Sequence, residues 1–478
     1  MAQLRENSHV KIKRVDRRYP LDHREERPTM NNKFNKLTLA AAITAAFASQ
    51  AHAGGYQINE QSVSGQGYGH AGRSSNIHDA TIVYGNPAGM SFLDRAQVTV
   101  GGTYLNVNTD ISNVEASRYI DSGVALGGAP NGNQIPVGSI PGGNDGDMVP
   151  GTPIPFAFYA HPVTDQLAFG FGVYAPFGSK TDYEDDFQGR YFGDYTEVKV
   201  VSAQPTVSYR FNDQWSVGAG ITYNRVEGEL RRQVPSEATF NPDADIDSRV
   251  DGDDEAWGYN LGVIYRPVPE TTLGLTYRSK VDYTLEGDFS ATDPLGNVVR
   301  SDTASLDLTT PETVNFSLTQ QMTDRLKLMF GASWVRWSHF DQILVTGSQG
   351  DTITQEFQNY SNAWAFATGG EYQLTKTLAL RAGVTLDMTP TNDEDRSVRI
   401  PSDDRRIFSL GAGWSPTPDL TVDIAYSYLT ERGTFVEQDR SDLLASQATG
   451  GQPVGGASYS ADYKNEAHGF GAQLTYRF

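Results

Sequence analysis

The chain has 478 residues, no cysteine and a formal net charge of −20 at pH 7, and hydrophobic residues make up 38% of it. The absence of cysteine excludes a disulfide framework and thiol chemistry, and the acidic excess argues against nucleic acid as a partner. No stretch offers the roughly 20 consecutive apolar residues that a spanning helix needs. A membrane-spanning β-barrel stays compatible with this composition, because its strands alternate lipid-facing apolar residues with lumen-facing small or polar ones.

The first elements in chain order predict export. Residues 30–53 contain two lysines near the start, an apolar run over residues 37–48 and the small-x-small motif Ala51-His52-Ala53. These are the three parts of a secretory signal peptide, and the apolar run is too short for a membrane anchor. Residues 1–29 are polar and basic, which is unusual ahead of such a signal. We therefore expect them to be an over-called, disordered start, with Met30 as the true initiator.

Residues 54–94 are rich in small and polar residues and keep neither a strand-like nor a helix-like period. This composition fits either a flexible tail or a compact plug. From residue 95 onward, apolar residues alternate with small or polar ones in runs about as long as a tilted membrane-crossing strand. In the last run Phe470, Leu474 and Tyr476 share one face, and Gln473 and Thr475 share the other.

Fourteen such segments can be counted in the sequence. They lie near residues 96–109, 153–162, 166–176, 196–211, 215–230, 255–267, 271–286, 303–320, 325–340, 361–374, 377–390, 404–415, 419–432 and 466–478. An even number of strands predicts that both chain ends lie on the periplasmic side of an outer-membrane barrel.

The connections between these segments alternate in length. Six are tight, around residues 162–165, 212–214, 267–270, 321–324, 374–376 and 415–419, and the other seven are long and polar. Short turns at one end and long loops at the other are typical of outer-membrane barrels. A secreted β-sandwich or propeller explains the alternation but not this asymmetry. The sequence therefore favours an all-β fold, a 14-stranded antiparallel barrel over residues 95–478.

The chain ends in an aromatic residue, Phe478, with Tyr476 two positions before it. This ending resembles the assembly signal of outer-membrane barrels. We therefore expect contacts with the barrel-assembly machinery during biogenesis, and with outer-membrane lipid and lipopolysaccharide afterwards. We expect the folded protein to be monomeric.

Short motifs in the predicted plug resemble the hatch of FadL-type transporters, a family that includes the long-chain fatty acid channel and aromatic-hydrocarbon channels such as TodX. The motifs are GGYQINE at 54–60, SG at 64–65, HDA at 78–80 and NPA at 86–88. Further matching stretches are APFG at 175–178, GRY at 189–191, LTYRS at 275–279, PE at 311–312, WSHF at 337–340 and IPSDDR at 400–405. They follow the family's order over essentially the whole predicted mature chain.

The resemblance implies a 14-stranded barrel plugged by an N-terminal hatch. It also implies capture of long-chain fatty acids or similar hydrophobic molecules in an outer groove, transfer to an inner pocket, and hatch-gated sideways exit at a kinked third strand. Gly54, Gly55 and Tyr56 would reach the inner pocket, unless they form a frayed terminus. The motif Asn86-Pro87-Ala88 would support the hatch.

The third segment has its own signal of incomplete pairing. It contains Gly170 and Gly172 and then Pro176, which removes a backbone donor from the ladder. This composition fits the kink of a lateral exit. A normal strand that ends in a loop is the alternative.

Alternation places three basic residues, Arg278, Lys280 and Arg381, on the lumen face. Each is a candidate partner for a carboxylate headgroup. The alternative is that they pair with lumen acids such as Asp282 or Asp387. Fatty acid uptake therefore competes with an aromatic or alkane hydrocarbon channel, and an adhesin or phage-receptor barrel is a further alternative.

Catalytic and metal motifs are missing from the sequence. It contains no Gly-x-Ser-x-Gly elbow and no His-Glu-x-x-His pair. The acidic runs at 182–186 and 251–255 are typical of solvated loops. We therefore expect neither an enzyme nor a cofactor or metal.

The signal peptide generates the first prediction. Cleavage after Ala53 should leave Gly54 at the mature N-terminus, because Ala51 and Ala53 supply the small residues that the peptidase needs. N-terminal sequencing of protein extracted from outer membranes checks this. A mature chain that begins before Met30 would contradict both the start site and the cleavage site.

Overall fold

The computed structural model describes residues 55–126, 128–235, 244–446 and 452–478. The predicted signal peptide, residues 1–29 and Gly54 lie outside the described residues. Among the described residues, no helix is long and apolar enough to cross a membrane.

Twenty β-strands in the described ranges belong to one antiparallel sheet. They are β1 (Gln97–Asp121), β2 (Gln134–Ser139), β3 (Thr152–Pro162), β4 (Leu167–Asp182), β5 (Tyr195–Arg210), β6 (Trp215–Val234), β7 (Ile246–Val268), β8 (Thr271–Arg278), β9 (Val281–Thr292), β10 (Val298–Thr310), β11 (Thr313–Gln321), β12 (Leu326–Val335), β13 (Gln342–Gly347), β14 (Thr352–Phe357), β15 (Ala363–Gln373), β16 (Leu378–Asp387), β17 (Arg405–Trp414), β18 (Leu420–Glu431), β19 (Thr434–Ser446) and β20 (Gln452–Arg477). The helices are short. They are α1 (Val63–Gly67), α2 (Ile82–Gly85), α3 (Ser122–Ala125) and two 3₁₀ turns, Pro87–Phe92 and Trp337–His339.

The strands form fourteen spans of a closed barrel. Five spans are interrupted, and consist of β8 with β9, β10 with β11, β12 with β13, β14 with β15, and β18 with β19. Strand β2 is an addition that pairs with the far end of β1. Strand β1 pairs with β20 from Gln97↔Arg477 to Ile120↔Gly455 and so joins the first span to the last. The predicted 14-stranded antiparallel barrel is therefore confirmed.

The six predicted tight turns are present, but the strands run further than predicted toward the long loops. Strand β1 continues to Asp121, well past the predicted end at residue 109, and β20 begins at Gln452 instead of residue 466. Beyond the apolar belt, the strands no longer alternate outward-facing apolar residues with inward-facing polar ones. For this reason the sequence underestimates the strand lengths.

Near the short turns, the barrel is apolar outside and polar inside, as predicted. Phe470, Leu474 and Tyr476 are exposed on the outer face, while Gln473 and Thr475 are buried within. Exposed apolar side chains on the neighbouring strands continue this band, which is what a lipid-facing surface requires.

Toward the long loops the pattern inverts. In β9, Val281, Tyr283 and Leu285 are buried inside, and Asp282 is exposed outside. Even-numbered residues face inward in β8 and odd-numbered residues in β9, so the break at residues 279–280 shifts the phase by one residue. Polar residues outside and apolar residues inside indicate that this part of the barrel stands in water.

Residues 55–94 form a compact plug inside the barrel and not a flexible tail. Asn86 caps the 3₁₀ turn by accepting a hydrogen bond from the Ala88 amide at 3.0 Å, with Pro87 in the first turn. Its side-chain amide donates to the carbonyls of Ser74 at 2.8 Å and of Val263, in β7, at 3.0 Å. One side chain therefore joins two parts of the plug to the wall.

The wall makes room for the backbone of the plug at glycine positions. A Cβ added to Gly274 would overlap the carbonyl oxygen of Ser74, and one added to Gly218 would overlap the backbone of Ala88. The Ala88 carbonyl also accepts hydrogen bonds from Ser208 at 3.0 Å and from Ser216 at 2.7 Å. The backbone of the plug can approach the wall this closely only because glycine has no side chain.

These contacts predict that Asn86→Ala loosens the plug while the barrel stays closed. The variant loses a cap and two buried hydrogen bonds, a cost of about 2–4 kcal/mol. Conductance in planar bilayers should show more frequent openings than in the wild type. Asn297→Ala, in an exposed hairpin turn, is the control and should leave conductance unchanged; equal behaviour of both variants would contradict the anchoring role.

Candidate functional site

The upper part of the barrel contains an apolar space, here called the upper cavity. It encloses about 760 Å³, including its open mouth. Its apolar lining consists of Tyr56, Val198, Leu230, Val250, Leu285, Leu306, Leu308, Phe340, Ile343 and Ile400. These residues come from the inverted parts of the strands, from the plug, from the connection between β12 and β13, and from the segment between β16 and β17. The cavity therefore exists because apolar residues face inward above the membrane.

Tyr56 closes one side of the upper cavity. Its side chain is only 2% exposed, and its ring centroid lies 4.7 Å from that of Trp337 and 5.5 Å from that of Phe340. Gly55 has a φ of 66°, and an added Cβ would lie 2.5 Å from the Trp337 ring. The structure thus places the predicted Gly55-Tyr56 segment at the cavity, not in a frayed terminus.

The N-terminal segment is held by strand β4. The Gly178 amide donates to the Tyr56 carbonyl at 2.7 Å, and the Ile58 amide donates to the Pro176 carbonyl at 2.9 Å. The plug therefore provides pairing for a part of β4 that its neighbour β3 leaves unpaired.

Strand β4 has a break in its pairing where Pro176 lies. Its ladder with β3 ends at Val173, and its register with β5 shifts between Tyr174 and Phe177. The kink predicted from Pro176 therefore coincides with an irregular, partly unpaired stretch.

The two predicted glycines lie in the regular part of β4, where both are paired with β3 and β5. A Cβ on Gly172 would lie 2.6 Å from the Phe158 ring, and one on Gly170 would overlap the Met90 sulfur of the plug. Their physical role in the structure is close packing, so the expectation that they weaken pairing is corrected.

Arg278 lies on the lumen side of β8, beside this break. Its Nη1 donates to the Tyr174 hydroxyl at 2.6 Å, and its Nη2 donates to the Tyr84 carbonyl at 3.4 Å. The guanidinium also lies over the Tyr84 ring, 4.6 Å from its centroid. Within the described part of the chain it forms no ion pair with a carboxylate. Aromatic and neutral polar groups therefore surround its charge.

Arg381 also faces the lumen, but acids neutralise it. Its side chain pairs with Glu371 at 2.7 Å and with Asp423 at 2.5 Å, and its Nη2 lies 3.1 Å from the Nε2 of His78 in the plug. The predicted orientation is therefore right. The partners are two acids, Glu371 on the adjacent β15 and Asp423 on β18, and not Asp387.

The lumen position predicted for Lys280 is wrong. Its side chain is 46% exposed on the outer surface and pairs with Asp282 at 2.8 Å. The cause is the one-residue phase shift at residues 279–280. Simple alternation carried past that break assigns Lys280 to the wrong face.

Arg73 and Arg399 line cavities of the lumen and were not among the predicted site residues. Arg73 lies in the plug, donates to the Asn59 carbonyl at 3.4 Å and makes no ion pair among the described residues. It lines a second, more polar space, also lined by Trp337, that encloses about 800 Å³ including its open part. Arg73 is the single Arg or Lys within residues 54–94. This isolated positive charge is the sequence signal that could have identified it.

Arg399 is the second of these, and it lines the upper cavity from the segment between β16 and β17. It pairs with Glu356 at 3.0 Å and donates to the Thr196 hydroxyl at 2.9 Å. A residue in a long, aperiodic connection offers no pattern that would place it inside the barrel.

A closed barrel with an apolar outer belt, an internal plug and an apolar cavity is a membrane protein that conveys hydrophobic molecules. A water-filled pore would need an open polar lumen instead. A family model described as outer membrane protein transport protein (OMPP1/FadL/TodX) matches residues 44–478. The chain belongs to this family, and is thus an outer-membrane transporter of hydrophobic substrates.

Individual relatives agree with this assignment. Outer membrane protein P1 of Haemophilus influenzae is 29% identical, covering 93% of this chain and 100% of its own. The long-chain fatty acid transport protein of Escherichia coli strain K12 is 26% identical, covering 83% and 92%. Among solved structures, a Pseudomonas aeruginosa FadL homologue superposes with a TM-score of 0.77 at 25% identity, covering 88% of this chain and 99% of that one. The Pseudomonas putida toluene transporter TodX shares the fold, with a TM-score of 0.58 at 16% identity over 86% and 99%.

Substitutions of Arg381 and Arg278 should differ in their effect on stability. Arg381→Met leaves Asp423 buried without a cation and Glu371 with Lys327 as its one remaining partner cation among the described residues, which costs about 3–5 kcal/mol. Arg278→Met leaves no carboxylate unpaired and should cost clearly less. The midpoint of thermal unfolding, followed by heat-dependent gel mobility, measures both; a larger loss in Arg278→Met would contradict the charge assignment.

Proposed function

We propose that this protein takes up long-chain fatty acids. The observation that carries the proposal is the pairing of an apolar cavity with a nearby lumen cation, Arg278, that no acid of the described residues neutralises. A fatty acid needs both features, one for its tail and one for its carboxylate. The similarity to fatty acid transport proteins of Escherichia coli supports the same substrate.

The tail supplies most of the binding energy in this proposal. Each methylene that leaves water for an apolar surface gains about 0.8 kcal/mol. The upper cavity offers such a surface through residues like Leu285, Leu308 and Phe340. The carboxylate would gain a charge-assisted hydrogen bond when it reaches a guanidinium.

The geometry also supports an order of events. Tyr56 lies between the upper cavity and the irregular stretch of β4, and Tyr174 in that stretch bonds Arg278. Movement of the Gly55-Tyr56 segment would connect the cavity with Arg278. The stretch at Pro176, which β3 leaves unpaired and the plug segment covers, lies on this route, and this supports sideways exit there.

Uptake of a neutral hydrocarbon is the second candidate. Among the described residues, Arg399 is the one basic residue that lines the upper cavity, and Glu356 and Thr196 already bind it. The cavity itself therefore favours an uncharged chain, whereas Arg278 favours an acid. The substrate depends on whether Arg278 contributes to binding.

Arg278→Ala should weaken binding of oleate by about tenfold or more, because a hydrogen bond to a charged group contributes about 1.5–3 kcal/mol. Binding of hexadecane should change far less, because an alkane has no charge to lose. Titration of both ligands into purified protein in lipid nanodiscs measures the two effects.

Lys280→Ala is the matched control, because it removes a cation two residues away on the outer surface. It should leave both affinities unchanged. Equal losses for oleate and hexadecane in Arg278→Ala would remove Arg278 from the site. Normal growth on oleate of a strain that lacks the gene would overturn the fatty acid assignment itself.

A further inference from the structure

The upper cavity has a neighbour, here called the lateral cavity, on the side of β1, β18 and β20. It encloses about 390 Å³, including its open part. Its apolar lining consists of Val107, Met148, Val149, Ile400, Leu429 and Ala467. Ile400 also lines the upper cavity. One side chain therefore belongs to the walls of both spaces.

The polar groups at the edge of the lateral cavity are bonded to one another. Arg405 pairs with Glu431 at 3.0 Å, and the Asn465 amide donates to Glu431 at 2.7 Å. Because their hydrogen-bonding capacity is used within this group, they place no unpaired charge in the cavity. The surface that remains for a ligand is made of aliphatic side chains and one methionine.

The backbone around Ile400 is fixed on both sides. Before it, the Val398 amide donates to the Gln438 side chain at 3.0 Å, and the Val398 carbonyl accepts from the Tyr183 hydroxyl at 2.6 Å. After it, the Pro401 carbonyl accepts from the Asn465 amide at 2.7 Å. Shortening the Ile400 side chain should therefore leave an opening, because the backbone is not free to collapse into the space.

The adjacent Arg399 strengthens this anchoring. Besides its pair with Glu356, it donates to the carbonyls of Tyr195 at 2.9 Å and of Arg231 at 3.2 Å, on β5 and β6. The segment between β16 and β17 is thus fastened across the lumen to the opposite wall. Ile400 is a rigid partition and not part of a mobile loop.

We propose that Ile400 sets the longest chain that the protein binds, by closing the upper cavity against the lateral cavity. The proposal rests on the proposed function, because it takes the ligand to be an acyl or alkyl chain held in the upper cavity. A chain that fills the upper cavity stops at Ile400, and its further methylenes remain in water or must fold back. With a smaller residue at this position, the end of the chain enters the lateral cavity.

The test compares affinities for saturated fatty acids from decanoate to icosanoate, measured by titration into protein in lipid nanodiscs. In the wild type, affinity should rise with length and then level off. In Ile400→Ala it should continue to rise beyond that point, by about fourfold for each added methylene that is buried. Ile400→Val should give an intermediate limit, which keeps the proposal testable if the alanine variant folds poorly.

Val398→Ala is the matched control. Val398 is a buried aliphatic residue of the same segment that lines neither the upper nor the lateral cavity. Its truncation removes buried apolar volume without joining the two spaces, so the length limit should stay near that of the wild type. An unchanged limit in both Ile400 variants, or an equal extension in Val398→Ala, would overturn the proposal. If the wild type bound no member of the series, the proposed function itself would fail instead.

Discussion

The structure depends on one constraint, which is that each strand passes from lipid into water while staying in a single closed sheet. In lipid every backbone group must be paired within the protein, so the wall is continuous and its outer face is apolar. Above the lipid the outer face must be polar, and the alternation of a strand then turns apolar residues inward. The breaks at residues 279–280 and at Pro311-Glu312 provide this change of phase in two neighbouring spans. The upper cavity is a direct consequence.

The same constraint explains where the plug lies. Its short helices leave many backbone groups without partners in the plug, and these groups need polar partners. The lower inner wall supplies them through side chains such as Ser208, Ser216 and Ser317, which bond Ala88 and Ser74. Apolar side chains of the upper wall, such as Leu285 and Leu308, cannot provide such partners. A polar plug below and an apolar cavity above are therefore two results of one pattern.

Period-2 alternation, tight turns and the closing aromatic strand were sufficient to predict the fourteen spans, because each is a local property of the chain. The inward orientation of Arg278 and Arg381 followed from the same pattern. Lys280 was misplaced because the phase shift beside it involves ordinary residues that no local rule marks. The acids that neutralise Arg381 come from β15 and β18, and only the register of the sheet brings them together. Arg399 was missed because its position is set by contacts with β5, β6 and β14 and not by a period.

Under the proposed function, the order of apolar and charged positions along the lumen has an energetic meaning. A carboxylate that loses water before it finds a cation pays a large desolvation cost, whereas an alkyl tail gains at each buried methylene. The tail enters the upper cavity first. Arg278 lies beyond Tyr56, beside the irregular stretch of β4. Burial of the tail therefore holds the ligand while the plug segment moves. Arg278 adds binding energy only for a ligand with a carboxylate. A neutral hydrocarbon would gain from the first step alone, so discrimination between the two substrates is located at Arg278 and not in the cavity.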